Sequence, residues 1–176
     1  MVDSYATRRD SERGLLSVAQ IQHVLRVEFA RAQRYGYPLS CMLIAVDQLG
    51  SVRDRHGYDA KEEIVDSVVE LLRSTTRSSD FLGRTGDDRL MAVVPHTSSD
   101  GARVMATRLI ERVRAGGAKR AKDAARITIS IGLTVSDRTH TMYFDSLLES
   151  AETALSDAIA AGGDQWAERD APKPRA

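Results

Sequence analysis

The chain carries one recurring pair of side chains that could grip a ligand, an arginine followed three residues later by an aspartate. This pair occurs at Arg77/Asp80, Arg84/Asp87 and Arg120/Asp123. A guanidinium can donate a fork of hydrogen bonds to a phosphate or a purine edge, and a carboxylate can accept from a base N–H. The alternative is an ordinary exposed ion pair across a turn, worth under about 1 kcal/mol. The pattern by itself does not choose between the two.

Other chemistry-bearing patterns are weak. The histidines, at positions 23, 56, 96 and 140, are scattered and lack metal-ligand spacing. Serine and aspartate are plentiful, but there is no nucleophile elbow and no paired base. The single cysteine, Cys41, cannot form an internal disulfide or a cysteine-based metal cluster. These residues therefore predict neither a catalytic group nor a metal site.

Length and composition limit the possible functions further. A chain of 176 residues suits one domain, and 42% hydrophobic residues indicate a globular fold. Lys plus Arg equals Asp plus Glu at 25 each, which argues against general nucleic-acid binding. The longest apolar run, 41–46, is too short to cross a membrane, and the first residues contain no apolar signal segment. We therefore expect a cytoplasmic protein without a membrane partner.

The apolar spacing predicts the elements that must position these residues. A helix over 15–34 ends at Gly36, and the largely apolar segment 39–46, which does not alternate with polar residues, predicts a strand buried on both faces. Residues 47–58 are predicted to form an irregular connection or a broken helix, which leads into a helix over 60–73. Strands over 80–85 and 88–94 are joined by Gly86-Asp87, which is typical of a type II′ turn. Ser98 or Ser99 caps a helix to about 115, a strand covers 126–135, and a last helix begins at Asp145 and stops at Gly162-Gly163.

From position 39 onward this order is strand, helix, hairpin, helix, strand. It predicts an α+β fold with a ferredoxin-like βαββαβ core, in which an antiparallel sheet has helices on one face, with one helix before it and one after. Residues 1–13 are predicted to be a flexible N-terminus, 14–164 the domain, and 165–176 a charged C-terminal tail. Trp166 in this tail could dock on the sheet edge or on a partner.

Several short motifs in this order resemble the GGDEF domain of diguanylate cyclases. Residues 84–90 (RTGDDRL) lie where that family has R-x-G-G-D-E-F, and residues 130–132 match its S-I-G strand. Residues 30–40 resemble its first helix and strand entry, and residues 151–155 match A-D-x-A-L. The resemblance covers roughly residues 10–164 and implies the nucleotidyl-cyclase-like form of the predicted fold.

The resemblance also implies that the signature turn is degenerate. A cyclase holds two metal ions on carboxylates to stabilise phosphoryl transfer. Gly86 is retained, but Asp87 replaces the second glycine, Arg89 replaces the glutamate and Leu90 keeps only the packing role of the phenylalanine. Asp88 survives as a possible single metal ligand.

Positions outside the turn depart from the family as well. Ala45 stands where the family places a metal-binding aspartate, which leaves Asp47 as the second carboxylate of that pair. Guanine-binding positions carry Arg53 and Glu62, and the positions that grip triphosphate carry Ile159 and Gly163. The resemblance therefore implies a domain with no catalytic residue, no cofactor and no expected Mg²⁺.

One family feature is retained, the inhibitory-site R-x-x-D motif. Arg77 to Asp80 has the family's spacing, six residues before Gly86, and Arg108 falls where a second arginine, usually from a neighbouring copy, contributes. These residues imply a bacterial cyclic di-GMP receptor in signal transduction, acting through a ligand-linked homodimer or an unknown protein partner. Residues 103–126 have a net charge of +6, which suits a dianionic ligand or the acidic face of a partner. The alternatives are a scaffold that binds no nucleotide, and a weak diguanylate cyclase or GTP sensor using Asp47 and Asp88.

Overall fold

A computed structural model describes residues 14–117, 126–137 and 143–170. The predicted flexible segment 1–13 and the third arginine–aspartate pair lie outside these residues. The helices and strands, in chain order, are α1 (Val18–Tyr35), β1 (Leu39–Val46), α2 (Leu49–Thr75), β2 (Phe81–Arg84), β3 (Leu90–Pro95), α3 (Ser99–Arg112), β4 (Ile129–Ser136), α4 (Phe144–Ala160) and β5 (Trp166–Glu168). A single π-helical turn, Val113–Gly117, extends α3.

The sheet has the strand order β2-β3-β1-β4-β5. The pairings among β1 to β4 are antiparallel, with β1 at the centre between β3 and β4. Strand β1 is apolar except for Ser40, because helices cover both of its faces. Side chains such as Met42 and Ile44 pack under α2 and α3, whereas Cys41 and Leu43 pack under α1 and α4. The α+β fold and its βαββαβ core are confirmed, and the two connecting helices share one face.

Helix boundaries follow local signals that the sequence carries. Ser17 and Gln20 form a capping box at the start of α1, and Gly36 ends it with a left-handed φ of 75°. The helix begins later than predicted because Leu16 bridges to Gly83 and covers the edge of β2. Asp145 lies in the first turn of α4 rather than at its cap, which is Tyr143.

The hairpin turn differs from the prediction of a two-residue type II′ turn at Gly86-Asp87. Pairing stops at Arg84 and Leu90, so five residues join the strands, closed by a 2.9 Å hydrogen bond from the Thr85 N–H to the Arg89 carbonyl. The left-handed residues are Asp87 (φ 61°) and Asp88 (φ 59°), not Gly86. Aspartate tolerates this conformation better than most side chains. A left-handed Asp88 cannot begin an extended strand, and β3 starts at Leu90.

The predicted antiparallel sheet and the predicted charged tail both need correction at the same place. Residues 166–168 form β5, which pairs with β4 in parallel. Trp166 is anchored there, because its indole N–H donates to Thr107 Oγ1 at 3.0 Å. Glu168 binds Arg103 at 2.6 Å and Ser99 at 2.6 Å. Contacts to α3, rather than local strand propensity, fix this short segment.

The S-I-G motif has a packing role. A Cβ at Gly132 would collide with the Ala151 carbonyl oxygen and the Leu155 backbone nitrogen of α4. Glycine therefore lets α4 lie directly against the middle of β4, where Gly132 pairs with Leu43.

Candidate functional site

Asp88, the carboxylate of the hairpin turn, is held by two cations from different elements. Lys61 Nζ on α2 lies 2.6 Å from Asp88 Oδ2, and Arg84 Nη2 on β2 lies 2.8 Å from Asp88 Oδ1. Burial acts to raise the pKa of Asp88, but the hydrogen bonds and charges of Lys61 and Arg84 outweigh it. The net result is a pKa below the ordinary value of 3.8. Both oxygens of the Asp88 carboxylate are therefore engaged in ion pairs within the chain.

Glu62 completes this group, which we call the hairpin cluster (Lys61, Glu62, Arg84 and Asp88). Glu62 is fully buried, 3.3 Å from Arg84 Nη2 and 3.9 Å from Lys61 Nζ. It is absent from the lining of the neighbouring pocket, so it does not offer its carboxylate there as a base-reading group. Arg84 is also buried, which removes the Arg84/Asp87 pair from the candidate ligand sites.

Asp47, at the end of β1, uses both carboxylate oxygens inside the chain. Its Oδ1 accepts from Ser130 Oγ at 2.7 Å, and its Oδ2 accepts from Thr128 Oγ1 at 2.7 Å. The backbone N–H of Asp164 also donates to Oδ2, at 3.0 Å. Gly163 lies against the same carboxylate. Asp47 thus ties β1 to β4 and to the segment that leads into β5.

A pocket of about 140 Å³ lies between the end of β1, the start of α2 and the hairpin turn. Ala45 contributes no ligand oxygen to it. The charged residues that line it are Arg53, Lys61, Asp87, Asp88 and Arg89. Arg53 also pairs with the adjacent Asp54 at 3.0 Å. Leu90 points away into the core and is 1% exposed, while Ile159 is exposed on α4.

The Arg77–Asp80 turn stands at the opposite end of β2, about 10–15 Å of strand away from the hairpin turn. Asp80 Oδ2 accepts from the Arg77 backbone N–H at 2.7 Å, and the Asp80 N–H donates to the Arg77 carbonyl at 3.1 Å. Asp80 Oδ1 is buried and has no hydrogen-bond partner among the described residues. The exposed Arg77 guanidinium makes no ion pair with Asp80. The structure therefore differs from the ordinary ion pair that the pattern alone allowed.

Two arginines of α3 belong to the same side of the molecule. Arg112 Nη1 donates to Ser74 Oγ at 2.7 Å and to Thr75 Oγ1 at 3.3 Å, just before the Arg77–Asp80 turn. Arg108 lies one helical turn earlier on α3 and is exposed. In contrast, Arg103 pairs with Glu168, and Arg114 pairs with Asp164 at 2.7 Å. Within the described segments, acids therefore neutralise Arg103 and Arg114 but neither Arg108 nor Arg112.

Sequence reasoning missed Lys61, because nothing in its local pattern marks a buried ammonium that reaches another element. Among the residues that the structure describes, no three His, Cys, Asp or Glu side chains come together in a way that could hold a metal ion. The described helices also include none that is long and apolar enough to span a membrane.

Comparisons with known proteins agree on the family. Residues 7–165 match the family described as diguanylate cyclase, GGDEF domain. The chain is 26% identical over 155 residues to the probable diguanylate cyclase DgcC of Escherichia coli K12, covering 88% of this chain but only 41% of that relative. The active GGEEF domain of a Vibrio cholerae diguanylate cyclase is similar in structure, with a TM-score of 0.80 and 22% identity. The match covers 88% of this chain and 97% of that domain. The GGDEF domain of Caulobacter crescentus DgcB in complex with c-di-GMP also has a TM-score of 0.80, at 16% identity and 88% coverage of each chain.

Proposed function

The chain belongs to the GGDEF-domain family of diguanylate cyclases, and we propose that it is a catalytically inactive member that acts as a cyclic di-GMP receptor. One contrast carries this proposal. The carboxylates of Asp47 and Asp88 are used inside the chain, whereas the Arg77 guanidinium and one oxygen of Asp80 have no partner in the described segments.

Several observations around the pocket support inactivity. Metal ions held on carboxylates carry phosphoryl transfer of this kind. Here Ala45 supplies no oxygen, Asp47 accepts three hydrogen bonds, and Asp88 is paired with two cations. The donor set therefore does not fit two Mg²⁺ ions, and we assign no catalytic role to these residues.

The Arg77–Asp80 turn supports ligand binding. An arginine fork can bind the edge of guanine or a phosphate, and a carboxylate accepts from the guanine N1–H and amino groups. Asp80 Oδ2 is occupied by the turn itself, which leaves Oδ1 to accept. A buried acceptor without a partner costs about 1–3 kcal/mol, which a ligand donor would recover. Because Oδ1 is covered, binding requires a local movement of the turn.

Arg108 extends the proposed site along α3. It would supply positive charge to a phosphate, either in its own protomer or in a second copy that the ligand joins to the first. We propose that binding acts through such a ligand-linked homodimer or through a changed surface for a protein partner in the cytoplasm. The complex of the similarly folded DgcB domain with c-di-GMP supports the choice of ligand.

Calorimetric titration with cyclic di-GMP tests the proposal. We expect the wild type to bind in the micromolar range, and Arg77→Ala to weaken binding at least about tenfold through loss of charge-assisted hydrogen bonds. Asp80→Asn should also weaken binding, because an amide keeps the turn but loses one acceptor. Arg55→Ala is the matched control, since it removes an exposed arginine near the start of α2, at the end of that helix far from the Arg77–Asp80 turn, and it should bind like the wild type.

Two results would contradict the proposal. Absence of binding by the wild type removes the receptor role. Formation of cyclic di-GMP from GTP and Mg²⁺ by the wild type, abolished in Asp88→Ala, removes the claim of inactivity.

A further inference from the structure

Lys61 is an unusually placed cation. Its side chain is only 8% exposed, although lysine is rarely buried without a partner. Its ammonium lies 2.6 Å from Asp88 Oδ2, 3.9 Å from Glu62 Oε1 and 5.2 Å from the centre of the Tyr58 ring. A buried charge is tolerated when it is paired in this way. The Lys61 ammonium therefore pairs with the hairpin turn rather than with solvent.

The position of this ammonium matters because Asp88 is the carboxylate that survives in the signature turn. Lys61 lines the pocket next to it, and Arg84 holds the other Asp88 oxygen. The hairpin cluster contains two cations and two anions and is neutral without an added ion. A Mg²⁺ ion needs oxygen ligands at about 2.0–2.1 Å in octahedral geometry. At Asp88 it would displace an ammonium and meet the positive charge of Arg84.

We infer that Lys61 is an internal counter-ion that takes the place of a divalent metal ion at Asp88 and fastens the hairpin turn to α2. The tie connects residues 27 positions apart in the chain, and both of them line the pocket. The domain consequently keeps its signature turn in place without a divalent cation. This inference does not depend on cyclic di-GMP binding, and its test uses no nucleotide.

Thermal unfolding with EDTA or with Mn²⁺ provides the test. The wild type should unfold at the same temperature in both. Lys61→Met keeps much of the aliphatic stem but removes the ammonium, and Mn²⁺ should then raise its unfolding temperature. At about five times the dissociation constant, mass action gives a rise of roughly 2–4 °C for a domain of this size. Lys61→Arg keeps the charge and should remain insensitive, and adding Asp88→Asn to Lys61→Met should abolish the rise.

The inference is overturned if Mn²⁺ stabilises the wild type as much as Lys61→Met, or if it leaves Lys61→Met unchanged. An equal rise in the double variant would also overturn it, because the ion would then bind away from Asp88. If Lys61→Met does not fold, nuclear magnetic resonance of the wild type decides. Unbroadened amide signals for residues 86–89 in Mn²⁺ support the internal counter-ion, and selective broadening there contradicts it.

Discussion

Replacing Asp47 by alanine should destabilise the domain strongly, because its carboxylate has a structural role. The substitution removes hydrogen bonds from Ser130 Oγ, Thr128 Oγ1 and the Asp164 N–H. Ser130 is fully buried, so its hydroxyl would lose a partner that water cannot readily replace. Hydrogen bonds to charged groups contribute about 1.5–3 kcal/mol each, and bonds that share one carboxylate add less than their sum. We expect a loss of about 3–5 kcal/mol, dominated by the β1–β4 tie.

Urea unfolding followed by circular dichroism measures this loss. For a domain of this size it corresponds to a fall in melting temperature of roughly 6–20 °C. Glu149→Ala on the exposed side of α4 is the control and should change stability by less than about 0.5 kcal/mol. An acid kept for chemistry is often neutral or favourable to remove. A loss below about 1 kcal/mol, or a gain, for Asp47→Ala would therefore refute the structural role.

The remaining predictions concern the packing glycine and the hairpin cluster. Gly132→Ala should lower the free energy of unfolding by about 1–3 kcal/mol or more, because the added Cβ collides with α4. Gly50→Ala is the control, because its Cβ meets open space, and it should raise the free energy of unfolding by about 0.4–1 kcal/mol. Equal stabilities of the two variants would contradict the close approach of α4 to β4. Asp88 has a lowered pKa, so its contribution is complete above the ordinary value of 3.8 and disappears as the pH falls through the lower folded value. The free energy of unfolding should therefore fall less steeply with decreasing pH in Asp88→Asn than in the wild type. The same dependence on acid pH in both proteins would argue against the two ion pairs.

The spacing of apolar residues, together with the glycine and proline residues that end helices and strands, predicts most of the fold. The largely apolar segment of β1 and the glycine after α1 are strong local signals, and both are confirmed. Strand β5 gives no such signal because it has only three residues, one of them charged, and two charged residues follow it. It forms through Trp166 and Glu168, whose partners lie 59 to 69 residues away in the chain. Contacts of that separation cannot be read from a local pattern.

The candidate site is likewise predictable from local sequence only in part, because distant contacts fix the rest. Spacing locates the hairpin, yet the left-handed residues fall at Asp87 and Asp88 because Arg84 and Lys61 hold the Asp88 side chain. Sequence reasoning treated Asp47 as the remaining member of a metal-binding pair. Its hydrogen bonds to residues 81 and 83 positions away give it a structural use. The assignment of Arg77, Asp80 and Arg108 to a ligand site stays a prediction.

The measurement that tests the central claim most directly is a nuclear magnetic resonance titration of the labelled domain with cyclic di-GMP. The Arg77–Asp80 turn and the pocket at the hairpin lie at opposite ends of β2, so shifts of backbone amide signals can separate them. We predict shifts at residues 77–80 and at Arg108, with the signals of Ala45, Lys61 and Arg89 unchanged. Shifts confined to the pocket residues, or no shifts at all, would contradict the account.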